Sequence, residues 1–431
     1  MKIHFLVLMF VWASLVLAQT ADQGQAPDAG PTILTRGELQ IPPEAATGMR
    51  GDYFNFSAFA DFTYNSYEPF ATYVGAVSGI EGFDAGLGVS LLHYFPSGAI
   101  SLNYTGGYRE YPGLNTDPVN NIIQNLNLGF NKQFNRRLLF TFGENAGWNP
   151  GGWIPHPVIT PEFALGLNLV AVRYESSLTS VGLSYLQTKR LSWQFGGDFS
   201  ELRYVPTSNF GSFGAMMSAG LNYRLTKRTT VGATASYQYF SFLQLHGTSQ
   251  SDGAYLSLSH QFGPRIEVGV SGGALRTSYG AGSADVVGST PLTGGSHAIY
   301  SPFASGRLSI SRKRVSFGLS GGEAVSAGNG IFLTSKMIYA GGGLTYAATR
   351  KWSFGLSGGY QRFVSINGGA SSPDEYASGS IDYKLSHHIG VRASGSYTSY
   401  ETITIYQGHS YYNIIAGVFF TSADRPLSSI F

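Results

Sequence analysis

YRLTKRTTVGATASYQYF, residues 223–240, passes from a short basic turn into strict alternation. Val231, Ala233, Ala235, Tyr237 and Tyr239 fall on one face of an extended chain; Gly232, Thr234, Ser236 and Gln238 fall on the other. The shape recurs as YLQTKRLSWQFGGDF from Tyr185, LSISRKRVSFGLSGG from Leu308, YAATRKWSFGLSGGY from Tyr346 and YKLSHHIGVRASGSY from Tyr383. In each copy one face is apolar and aromatic, the other small and polar. Trp352, Phe354, Leu356 and Tyr360 thus oppose Ser353, Gly355, Ser357 and Gln361.

Half-buried strands of a soluble sandwich also alternate. Three features point elsewhere. Each basic turn is followed by about ten alternating residues, the ~9–11 of a tilted membrane-spanning strand. Aromatic residues gather at both strand ends, as interfacial girdles require. Trp193, Tyr223, Phe262, Trp352 and Tyr383 lie near the turns; Tyr108, Phe199, Tyr239, Phe240, Tyr279, Tyr360, Phe363, Tyr397 and Tyr400 lie at the far ends. Short and long connections also alternate. The short ones centre on 95–98, 135–137, 188–190, 226–228, 263–265, 312–314, 349–351 and 386–388. The long ones fall near 65–81, 109–122, 147–172, 205–212, 243–252, 280–296, 325–335, 366–375 and 402–409.

That punctuation predicts an all-β, closed antiparallel transmembrane β-barrel of about eighteen strands, with short periplasmic turns and long extracellular loops. Residues 147–177 leave the count open between sixteen and twenty, because FALGLNLVAV reads equally as a strand, a lumenal helix or an inward loop. The expected organisation is a signal peptide over 1–18, a flexible periplasmic leader over 19–51, the barrel over 52–422 and a tail over 423–431. Lys2 supplies the positive n-region of that signal, Phe5 to Leu17 its apolar core, and Val16-Leu17-Ala18 the cleavage pattern. The predicted location is the cell outer membrane.

Composition agrees. Only 12% of the 431 residues are charged, against roughly 25% in an average soluble domain. Gly (57), Phe (29) and Tyr (27) are abundant. Beyond the N-terminus no apolar run reaches the roughly 18 residues of a membrane helix. A net charge of +2 offers no electrostatic ground for nucleic acid as a partner. The absence of Cys removes disulfides, thiol catalysis and zinc–thiolate sites.

On these hairpins, among them FNKQFNRRLLFTFG, SLSHQFGPRIEVGVSGG and NYRLTKR, residues 52–431 resemble bacterial outer-membrane β-barrels of the porin-like kind, the putative β-barrel porins. The last strand, SYYNIIAGVFFTS, carries Gly417, Phe419 and Phe420, and the chain ends at Phe431. The resemblance implies that one of these aromatics is read by the barrel-assembly machinery, although ADRPLSSI separates Phe431 from the strand. Some such barrels accompany polysaccharide export. No plug domain or energy-coupling box of the siderophore-transporter kind is present.

Motifs that suggest chemistry have plainer readings. G-x-S-x-G occurs around Ser271, Ser320 and Ser357, but a nucleophile elbow is needed once and at a strand-to-helix turn. These three recur in mid-strand. The nine histidines form no H-x-x-x-H pair, and His387-His388 reads as a polar turn. No enzymatic activity, cofactor or metal is expected. The turn cations, such as Lys189, Arg190, Lys227 and Arg228, are expected to end strands and meet headgroup phosphates.

By alternation Asp84, Asp198, Glu267 and Asp382 face inward, as do Arg224, Arg307, Lys384 and Arg392; these are the predicted pore-lining residues. The function this predicts is a porin-like channel for passive diffusion of small hydrophilic solutes, with 147–172 as constriction. The alternative is a structural or accessory barrel with an occluded lumen, in exopolysaccharide export or surface docking. Expected partners are outer-membrane lipid, lipopolysaccharide, the barrel-assembly machinery and the solutes.

Overall fold

A computed structural model describes residues 53–67, 78–110, 112, 121–149, 173–205, 212–242, 247–279, 297–326, 335–365, 371–400 and 409–422. They form β1 (Tyr53–Tyr67), β2 (Ser78–Phe95), β3 (Gly98–Glu110), β4 (Asn121–Asn135), β5 (Leu138–Asn149) and β6 (Arg173–Leu186). Next come β7 (Leu191–Val205), β8 (Ser212–Arg224), β9 (Thr229–Phe242), β10 (Gly247–Gln261), β11 (Ile266–Tyr279) and β12 (His297–Ser311). The last are β13 (Val315–Ser326), β14 (Ser335–Ala347), β15 (Trp352–Ser365), β16 (Ser371–Lys384), β17 (Ile389–Tyr400) and β18 (His409–Thr421). Each strand pairs antiparallel with its sequence neighbours, and β1 also pairs with β18, so the eighteen-stranded sheet closes on itself. Closure pairs the backbone polar groups without an exposed edge, which hydrocarbon demands.

The quoted turns join consecutive strands where the sequence puts them. In NRR, TKR, TRK and SHH the first residue caps the turn. Thr226 Oγ1 accepts from the N–H of Arg228 at 3.1 Å and of Thr229 at 3.0 Å. Thr188, Thr349 and Ser386 do the same with their hydroxyls, and Asn135 with its side-chain carbonyl. In the FGPR turn Gly263 instead takes a left-handed φ of 77°.

The last residue of each turn also accepts from the next hairpin. The carbonyls of Ser97, Arg137, Arg190, Arg228, Arg265, Arg314, Lys351 and His388 bind the N–H groups of Gln133, Leu186, Arg224, Gln261, Ser311, Ala347, Lys384 and Thr421, at 2.6–2.9 Å. Ser422 completes the ring: its N–H donates to Phe56 O at 2.7 Å, and its hydroxyl accepts from Phe56 N–H at 2.8 Å.

The two faces differ as the alternation predicts. Phe62, Leu87, Leu256, Leu319, Leu356 and Val418 stand on the outer face, Leu256 being 68% exposed. Every buried side chain among the described residues belongs to the inner set, except those of Leu126 and Val325. Soluble monomers rarely expose an apolar patch above a few hundred Å²; here the apolar belt runs round the barrel. It is the surface of a protein that spans a membrane through its strands.

Three departures from the sequence reading stand out. Strands of 12 to 18 residues outrun the membrane length, because ladder bonds continue past the hydrocarbon edge. Residues 78–81, 247–252 and 371–375, expected in loops, are therefore strand. Phe240 and Phe363, expected in the outer girdle, carry inner-face parity and are 1% exposed. Glu144 faces outward in mid-strand, on the same side as Phe140, Phe142 and Trp148. It accepts hydrogen bonds from Ser177 Oγ at 2.9 Å and from the Thr179 hydroxyl. The expected signal peptide, leader and tail, and FALGLNLVAV with all but the first residues of the 147–172 segment, lie outside the described residues.

Candidate functional site

The inner wall holds the polar chemistry. Strand register puts Asp84, Asp198, Arg224, Glu267, Arg307, Asp382, Lys384 and Arg392 on its parity, and groups some of them. Asp382 lies opposite Arg392, which lies opposite Gly417, which lies opposite Asp61, which lies opposite Asp84, which lies opposite Arg109. This row crosses the seam where the first and last strands meet.

Each acid in the row has a donor. Arg109 grips Asp84 with two parallel bonds, Nε to Oδ1 at 2.8 Å and Nη2 to Oδ2 at 2.9 Å. Arg392 does the same to Asp61, with Nε to Oδ1 at 3.0 Å and a second bond from Nη2 to Oδ2. Its guanidinium also lies 5.4 Å from the centre of the Phe59 ring. The Ser353 hydroxyl donates to Asp382 at 3.3 Å. Two facing carboxylates, Asp61 and Asp84, would repel each other at this range; an arginine on each makes the arrangement stable.

A second pair sits on β11 and β12. Arg307 Nη2 donates to Glu267 at 2.8 Å. Gly269 lies directly opposite Arg307, and a Cβ there would come within 3.0 Å of Nε. Asp198 stands apart, opposite Ser180 and Met216. Arg224 and Lys384 lie at the short-turn ends of their strands and make no ion pair among the described residues.

Between the charges the wall is hydroxyl, amide and ring. Ser271 and Ser305 share a 2.5 Å hydrogen bond, Ser357 and Ser378 one of 2.6 Å. Asn127 donates to Asn145 at 2.6 Å, and Tyr255 and Phe303 lie 5.4 Å apart, centre to centre. Ser271, Ser320 and Ser357, the three G-x-S-x-G serines, thus sit in the ladder and not at an elbow.

Sequence reasoning missed Asp61, Arg109 and Asp374 on this wall. Asp61 had a signal: it alternates with Ser57 and Thr63 in SAFADFT. Arg109 and Asp374 had none, since both lie where the alternation dissolves into expected loops. Asp374 is buried and accepts from Gln361 Nε2 at 3.2 Å.

No family model and no curated protein matches the chain. Solved barrels do resemble it. OccAB3 of Acinetobacter baumannii is 11% identical, with a TM-score of 0.43 over 87% of this chain and 100% of its own. OccK5 (OpdH) of Pseudomonas aeruginosa is 13% identical, with a TM-score of 0.41 over 87% and 99%. The FrpB iron transporter from Neisseria meningitidis is 8% identical, with a TM-score of 0.42 over 88% and 83%. The likeness is of barrel to barrel, at identities and TM-scores too low to assign a solute.

Proposed function

We propose that the barrel is an outer-membrane channel through which small hydrophilic solutes diffuse passively. The observation that carries this reading is the wall chemistry: hydroxyls, amides and a nearly balanced set of acids and bases on the inner face of a closed barrel. Barrels of sixteen to eighteen strands leave an aqueous channel inside. On this reading Asp84, Asp198, Arg224, Glu267, Arg307, Asp382, Lys384 and Arg392 line the pore, joined by Asp61 and Arg109. Solutes are sorted by diameter and by a wall of mixed sign, with no chemical step. The short-turn rim faces the periplasm, the N-terminal signal directs export, and the final strand is read by the barrel-assembly machinery. Lipopolysaccharide surrounds the opposite rim.

Near-complete burial of Phe240, Phe363 and Met337 on the inner face favours a second reading, an accessory barrel with an occluded lumen. Planar-bilayer recording separates the two. Steady conductance from folded protein supports the channel; folded, inserted protein without conductance supports the occluded barrel.

A further inference from the structure

Six consecutive turns, from Arg136-Arg137 to Arg350-Lys351, bring Lys or Arg to one rim of the barrel. The turn caps accept the backbone N–H groups of the second basic residue and of the residue after it, so what such a turn offers outward is cationic side chains. Among the described residues no carboxylate forms an ion pair with them. Successive hairpins repeat the charge roughly every 10 Å, two strand spacings.

The apolar belt reaches the same level. Phe134 is 61% exposed and Phe262 58%, each at the last residues before its turn, and the Phe262 ring lies 4.4 Å from that of His260 on the outer face. Trp193 and Trp352 stand on the outer face just beyond their turns. Hydrocarbon therefore extends almost to the turns, which sets the cations at the height of the headgroups. A soluble acidic protein would need them clear of the bilayer.

The charge is also sided. Pro96-Ser97 and Leu385-Ser386-His387-His388, the two turns nearest the β1–β18 seam, carry no Lys or Arg. Leu385 is exposed there all the same, so lipid meets that sector too. A feature needed only to hold the barrel in the bilayer would be spread evenly. We infer that the sector from β4 to β15 is a binding surface for anionic phospholipid headgroups, of the phosphatidylglycerol type, in the leaflet at this rim. It is independent of whether the lumen conducts.

The experiment uses Trp193 and Trp352 as reporters, each kept in turn in a mature chain whose other tryptophans, outward-facing Trp148 among them, are replaced by Phe. The mature barrel is reconstituted in phosphatidylethanolamine vesicles containing brominated phosphatidylglycerol or brominated phosphatidylethanolamine, and tryptophan quenching is compared. The expected result is stronger quenching by the anionic lipid, weakened by salt. K189Q/R190Q should reduce the preference at Trp193 by about fivefold per charge removed, the scale of one basic residue near an anionic surface. H387Q/H388Q should leave it unchanged. Heat-modifiable migration on gels verifies folding, and the salt titration of native protein stands should the variant not fold. Equal quenching by the two lipids in native protein, a preference insensitive to salt, or one that survives in folded K189Q/R190Q overturns the inference.

Discussion

Arg392 on β17 reaches over β18 to hold Asp61 on β1, two strands away, and it does so through the gap left by Gly417. A Cβ built on Gly417 would collide with the Asp61 side chain and with the Ala60 carbonyl. The pair is largely buried, Asp61 more than Arg392, and it ties the last hairpin to the first strand. Removing one member of a buried pair leaves a charge uncompensated, at about 3–5 kcal/mol. R392M should therefore lower the unfolding free energy of the vesicle-inserted barrel by about that much in urea titration. The double variant D61N/R392M should recover part of the loss. A single variant as stable as native protein would mean that the seam is held by its ladder alone.

Gly417→Val tests the same gap from the other side. The branched side chain occupies the path of Arg392 and presses on Ala60, so closure of β1 on β18 should fail or slow. Gel-shift kinetics of refolding into vesicles measure this directly. Refolding at the native rate contradicts it.

Glu144 makes an opposite prediction. It stands on the lipid face between Phe142 and Trp148, with only hydroxyl donors from Ser177 and Thr179. Lys and Arg cost about 2–4 kcal/mol at mid-depth in such barrels, and Asp and Glu less. Glu144→Leu should thus stabilise the inserted barrel by about 1 kcal/mol or more, measured by urea unfolding. Ser177→Ala should cost about 1 kcal/mol, because it strips one donor from the carboxyl group. A loss of stability in Glu144→Leu would show that the carboxylate serves the fold.

The turn caps give a local test. Thr226→Val keeps the shape but removes the acceptor used by the N–H groups of Arg228 and Thr229, and should cost about 0.5–1.5 kcal/mol. Thr226→Asn, which copies the Asn135 turn, should restore most of it. Hydrogen exchange at Arg228 and Thr229 reports the cap itself: faster in the valine variant, near native in the asparagine one.

Much of this was legible in the sequence, and what was not has a physical reason. Period-two alternation assigns a face along a strand, so Val231 to Tyr239 read correctly from nine residues of chain. TKR and its relatives announce the turns because a Thr, Ser or Asn before two solvated polar side chains is a self-capping unit. Alternation does not say where hydrocarbon ends; this is why Phe240 and Phe363 looked like girdle residues and Arg109 and Asp374 like loop. Nor does it give register. Asp61 and Arg392 lie 331 positions apart, and only closure of the eighteenth strand on the first brings them together.

Ion selectivity bears on the inner wall. Arg224 lies at the short-turn end of β8 with no ion pair among the described residues, so no neighbouring carboxylate offsets its charge. Arg224→Glu should move the reversal potential in a KCl gradient toward cation preference. Arg307→Gln, which frees Glu267 from its partner, should move it the same way. A reversal potential unchanged in both would place these side chains off the conduction path.

Along the strands, apolar side chains meet lipid and their polar neighbours meet water. The chain has no native Cys, so single cysteines report without background. Asn145→Cys on the inner face and Leu356→Cys on the outer face, each in reconstituted vesicles, should be exposed to a membrane-impermeant maleimide and to a bilayer-dissolved thiol reagent. Asn145→Cys should react with the first and Leu356→Cys with the second. The reverse pattern, or a mature chain that stays soluble without detergent, would contradict it.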